Sequence, residues 1–143
     1  MQSASTAQLQ VTNDQELGRE RTFYRAFGGH MFFQALLAGV ELSLFELLHR
    51  HGPLAPAEVA EKLGIHTQPA SILLLTLSAA EILDSQDGKY ATTPIVDEFL
   101  LAESPRKYTA CIRWQGYINY VPMAHFCDAI RENRNVGLEV FSG

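Results

Sequence analysis

Five histidines, two cysteines and one adjacent pair of carboxylates are the side chains whose types could do bond-making chemistry. His49 and His51 fall at a helix end just before Gly52-Pro53, where the helix dipole favours a cation and the glycine ends the helix. That place accounts for them without a metal or catalytic role. His125 stands among Trp114, Tyr117, Met123 and Phe126. A histidine there could act as a general base toward a phenol; a half-buried core histidine is the plainer role. Asp97-Glu98 occupy the first turn of a helix, where negative charge faces the positive end of the dipole. Cys111 and Cys127 form neither a disulfide framework nor a CxxC pair, and no Cys/His cluster suggests zinc. They read as reduced structural thiols of a cytoplasmic protein. No G-x-G-x-x-G follows a strand, and there is no phosphate-binding loop and no G-x-S-x-G elbow. The sequence therefore assigns no catalytic residue, no cofactor-binding residue and no metal ligand.

The other concentrated signal is aromatic. Tyr108, Trp114, Tyr117, Tyr120 and Phe126 crowd one segment, too densely for an ordinary solvated surface. Such a cluster is either core, the default, or the wall of an apolar pocket for a planar ligand. The totals permit either. A chain of 143 residues is about one domain, and 47% hydrophobic residues is ordinary for a globular protein. The net charge of −5 argues against an electrostatically driven nucleic-acid or membrane binder. The N-terminus lacks the pattern of a signal peptide, and Met31–Leu48 is interrupted by Gln34, Glu41, Ser43 and Glu46, so it fails as a membrane span.

The elements that must position these residues follow from periodicity. Residues 1–15 read as a flexible tail. Glu16–Phe27 is amphipathic, and Gly28-Gly29 should break or hinge the chain. His30–Arg50 is long enough for one helix, and its apolar residues cover more than one face. A helix apolar nearly all round is covered on two sides. A second copy of the chain is the simplest second side, so Met31, Phe32, Phe33, Leu36, Leu37 and Val40 are the dimer-interface candidates. Pro56–Leu63 makes a short helix, started by Pro56 and ended by Gly64. Thr67 is placed to cap a helix over Gln68–Ala80. Short strands over Ile82–Ser85 and Lys89–Thr92 flank Gln86-Asp87-Gly88, a hairpin signal. Thr93 is placed to cap Pro94–Leu101. A helix follows from Arg106 to Tyr120, with a kink at Pro122, a continuation to Asn133, and a loop over Arg134–Gly143. The fold class is mainly α: a winged helix-turn-helix with a small β-hairpin wing and additional N- and C-terminal helices, dimerising. The domains are a tail (1–15), a winged-helix dimerisation domain (16–103) and a helical connector (104–143).

A winged helix suggests a DNA-binding regulator with Gln68–Ala80 as recognition helix. Charge argues otherwise. From Leu63 to Gly88 there is no Lys or Arg, while Glu81, Asp84 and Asp87 are acidic, and an approach to phosphates would be repelled.

The ordered series of elements carries a resemblance. An apolar helix ends in Leu44-Phe45-Glu46-Leu47-Leu48. Then come Pro56-Ala57-Glu58-Val59-Ala60-Glu61-Lys62-Leu63-Gly64, a Leu-rich helix and the exit Tyr90-Ala91-Thr92-Thr93. From about Gly28 to Gly143 this resembles the N-terminal domain of small-molecule O-methyltransferases of the caffeic-acid and hydroxyindole type, with their bacterial natural-product members. The resemblance implies a winged helix that dimerises, with an early helix that can reach the partner's substrate pocket. It also implies an S-adenosylmethionine-binding fold that is absent from these residues, so the cofactor is expected in a parent enzyme and not in this chain. On that basis Phe23, Tyr24 and Phe27, reaching across the dimer, and Trp114, Tyr117, Met123 and Phe126 are the substrate-pocket candidates. The expected partners are a second copy and, in the full enzyme, a small aromatic or polyketide substrate; neither nucleic acid nor membrane is expected. The chain alone should transfer no methyl group. A stand-alone adaptor in a biosynthetic assembly and the DNA-binding regulator are the competing readings. One departure is Glu81, where many relatives place glycine at the turn into the wing.

Overall fold

A computed structural model describes the backbone of residues 2–142 and the side chains of residues 16–142. The chain divides into two compact units, Met1–Phe33 and Gln34–Gly143. Helix α1 spans Gln2–Glu41, so the helix passes through both units. It runs unbroken through Gly28-Gly29, against the expected hinge. Two helical glycines cost about 1 kcal/mol each relative to alanine, too little to stop a long helix. The residues read as a tail are drawn into the same helix from Gln2; their side chains lie outside the described residues.

The expected single helix over His30–Arg50 is two helices. Ser43 adopts a left-handed conformation (φ 53°) and separates α1 from α2, Leu44–His51. The break explains how an all-round apolar sequence is satisfied. It turns Leu44, Phe45 and Leu48 fully inward, and Val40 ahead of it is only 5% exposed. Much of the second apolar face is thus covered by the chain itself. Phe45 enters because Gly39 carries no side chain: a Cβ there would lie 2.7 Å from the ring.

Helix α3, Pro56–Leu63, begins on proline as expected, and the Ala55 N–H donates to Glu58 Oε2 at 2.8 Å. Gly64 ends it in the left-handed region (φ 66°), with the Ile65 N–H reaching back to the Ala60 carbonyl. Helix α4, Thr67–Ala79, packs on α3 and buries Ala70, Leu74 and Leu77. His66, not Thr67, is its N-cap, and no side chain caps it. The α4 end is the same device as at Gly64 with a different residue. Glu81 sits at φ 62°, its N–H donating to Ser78 O and that of Ile82 to Leu77 O.

The wing matches its sequence signal. Strands β1 (Leu83–Gln86) and β2 (Lys89–Thr92) pair antiparallel, Leu83 opposite Thr92 and Gln86 opposite Lys89. Asp87 and Gly88 both have positive φ, which makes a type I′ two-residue turn. Leu54 joins the wing by exchanging two backbone hydrogen bonds with Tyr90, 3.0 and 2.9 Å. Helix α5 is Pro94–Phe99. Thr93 does not cap it with its side chain; the hydroxyl donates to the Ile82 carbonyl at 2.8 Å and ties the wing's two ends together.

The last segment is helical by short, unlike turns. Helix α6, Thr109–Trp114, passes into a π-helical turn, Gln115–Asn119, then a 3₁₀ turn, Pro122–His125, and helix α7, Phe126–Glu132. Pro122 lacks an N–H to donate, which locates the irregularity. Gly116 meets Leu37 so closely that a Cβ would lie 2.4 Å from it. The expected terminal loop is a 3₁₀ turn, Val136–Phe141, pinned by Arg134 to Glu132 (2.7 Å) and to Glu139. The two carboxylates hold the Arg134 guanidinium above its usual range, Glu139 contributing most.

Candidate functional site

Bond-making chemistry remains absent when the side chains are placed. His49 Nδ1 donates to Asp97 Oδ1 at 3.2 Å, linking α2 to α5 on an exposed surface. Glu98 pairs with Arg106. Both carboxylates that stood out in sequence are thus structural. Cys111 and Cys127 are free and exposed, and among the described residues no group of His, Cys, Asp and Glu could hold a metal. His125 is exposed, not a core histidine.

The aromatic cluster is not core either. Trp114 is 52% exposed, Phe126 55%, Tyr117 57% and Met123 57%. Met123 and Phe126 come together at one end of an open groove of about 680 Å³, shared with Ala129, Ile130, Asn133, Arg134 and Asn135. That volume lies in the range of small-molecule sites. The groove is apolar on one side, and its polar groups gather at the Asn133–Asn135 end, where the Arg134 ion pairs fix the wall. Trp114 and Tyr117 do not line it. Ile130 was legible in sequence from its spacing, four residues from Phe126 and seven from Met123. Arg134 and its asparagine neighbours carried no such signal.

A second apolar surface lies on α1. Phe23, Tyr24 and Phe27 are 61–66% exposed and touch one another. The Phe23 and Phe27 rings stack at 6.1 Å, and Tyr24 meets Phe23 edge-on at 5.6 Å. Met31 is exposed, whereas Phe32, Phe33, Leu36 and Leu37 are half-buried and Val40 is already buried in its own chain.

No residue set here fits S-adenosylmethionine. The only sheet among the described residues is the two-stranded antiparallel wing, with no strand leading through a glycine-rich loop into a helix. Among the described residues no single helix is long and apolar enough to cross a membrane.

The family model named O-methyltransferase dimerisation domain matches residues 24–102. L-tyrosine C(3)-methyltransferase of Streptomyces lavendulae is 31% identical over 115 residues, covering 80% of this chain and 31% of that protein. Acetylserotonin O-methyltransferase of Bos taurus is 36% identical over 118 residues, covering 79% and 34%. The fold is shared with solved structures. The S-adenosylmethionine-dependent methyltransferase SibL aligns with a TM-score of 0.73 at 34% identity over 85% of this chain and 36% of its own. Human N-acetylserotonin methyltransferase, solved with S-adenosylmethionine, aligns with a TM-score of 0.75 at 30% identity over 87% and 38%. The chain spans about a third of the length of the curated relatives it matches. The match from the aromatic stripe through the winged helix to the end of α5 makes this chain a member of the O-methyltransferase dimerisation-domain family.

Proposed function

We propose that this chain serves a small-molecule methyltransferase as the part that joins two copies and walls one side of the substrate pocket, while other residues hold S-adenosylmethionine. The observation that carries this is the distribution of exposure. The winged helix has a finished core, yet large apolar side chains stay exposed in two places: the α1 stripe and the segment from Trp114 to Ile130. Exposed aromatic groups of this density are interaction surfaces. Phe23, Tyr24 and Phe27 cross to the partner copy. Met123 and Phe126 supply apolar wall, with Trp114 and Tyr117 just upstream. Binding a planar ligand in that groove would supply orientation, which a methyl transfer needs because the acceptor must lie in line with the methyl group. The relatives include a C-methyltransferase and O-methyltransferases, so the acceptor atom is set outside this domain. By itself the chain transfers no methyl group.

The test is kinetic, on the full enzyme. Phe126→Ala and Trp114→Ala should each raise substrate KM by about tenfold, the scale of one lost aromatic anchor, and leave the dimer intact. Dissociation of the dimer with unchanged KM would assign these residues to the interface instead.

A further inference from the structure

The dimer reading leaves open where the aromatic stripe of one copy lands on the other. We infer that the apolar groove beside α4, lined by Ala38, Leu42, Ile65, His66, Pro69 and Leu73, is the seat for Phe23, Tyr24 and Phe27 of a second copy's α1. The inference rests on that dimer reading and adds its geometry.

Three observations converge on this occupant. First, the groove is a built opening of about 480 Å³ whose one polar side chain is His66. It lies wholly within the unit Gln34–Gly143, between the end of α1 and the start of α4. The stripe has the opposite form: three protruding rings on a helix, exposed on all but their mutual contacts. Second, Tyr24, Phe27 and every residue lining the groove fall inside the matched dimerisation region, residues 24–102. Third, the charges are complementary. Arg19, Arg21 and Arg25 flank the stripe against Glu16 and Glu20, whereas Leu63 to Gly88 holds Glu81, Asp84 and Asp87 and no cation.

Symmetry agrees. Stripe and groove are different patches of one chain, so a two-fold axis makes the contact twice, each copy giving its stripe and receiving the other's, and the assembly closes. Stripe against stripe would also obey the axis. It would bring two sets of arginines together and leave the groove empty.

Sedimentation velocity on the full chain tests this with two variants at exposed positions. The groove variant is Leu42→Glu with Pro69→Glu; the stripe variant is Phe23→Glu with Phe27→Glu. Each alone should weaken the dimer about tenfold or more in Kd with helicity unchanged. Mixed in equal amounts, they should recover a heterodimer, because one copy keeps its stripe and the other its groove. A wild-type chain that stays monomeric overturns the dimer reading and this inference with it. A dimeric wild type whose groove variant still dimerises overturns this inference alone. Two monomeric variants that fail to complement each other also overturn it, in favour of like meeting like. Should the double groove variant lose helicity, Pro69→Glu alone carries the same test.

Discussion

Single residues decide the geometry of this domain at two places where a side chain and the backbone conflict. Glu81 holds a left-handed conformation that an L side chain adopts at a cost of about 1–2 kcal/mol and glycine adopts freely. The equivalent end of α3 uses Gly64 in the same conformation. Glu81→Gly should therefore stabilise the chain by about 0.5–1 kcal/mol, the saving being reduced by glycine's greater freedom when unfolded. Calorimetry should show Tm rising by about 2–4 °C per kcal/mol at this size; an unchanged or lower Tm would refute the strain argument. Gly39 is the converse case. A methyl group there meets the Phe45 ring at 2.7 Å, and that ring is fully buried with nowhere to move. Gly39→Ala gains helix propensity and still should lose about 1–3 kcal/mol to overpacking. Urea unfolding of the two variants reads both signs in one series.

Elements, more than residues, were legible in the sequence, and the reason is local signal. Pro56 and Gly64 bracket α3, and Asp87-Gly88 can hardly be anything but a tight turn, because each fixes backbone angles without help from the rest of the chain. The Ser43 break had no such signal: serine is not a helix stop, and its left-handed angle is imposed by burial of Phe45 and Leu48 after it. Leu54 pairing with Tyr90 was equally invisible, since one residue has no periodicity. The candidate site fared worst. Aromatic density around residues 114–126 looked the same for core and for pocket wall, and only placement separates them. Helix α4 makes the same point in a form that can be measured. Leu77 and Leu75 are two residues apart with the same side chain, yet Leu77 is fully buried and Leu75 is 63% exposed. Leu77→Ala should cost about 2–5 kcal/mol, and Leu75→Ala should stay within about 0.5 kcal/mol. Comparable losses at both positions would mean that α4 faces a core on two sides.

At the scale of the whole molecule, the winged helix presents a choice between two partners that its architecture alone does not make. A reader of duplex DNA offers cations on its recognition helix and wing, because phosphates supply most of the binding free energy. The outward side of α4 here carries Ile72 and Leu75, both exposed, and no Lys or Arg occurs between Leu63 and Gly88. The chain's net charge of −5 adds repulsion at longer range. What the domain does expose is apolar: the α1 stripe, the groove beside α4 and the Met123–Ile130 wall. Those surfaces select protein and small planar ligands, and each would be weakened little by salt, since burial of apolar area and not counterion release drives it. Fluorescence anisotropy with labelled duplex DNA should therefore show no saturable binding at micromolar chain and low salt. The oligomer seen by sedimentation should survive an increase in salt that would strip a DNA complex. Sub-micromolar duplex binding that weakens steeply as salt rises would return α4 to the role of recognition helix, because only a phosphate contact responds to salt in that way.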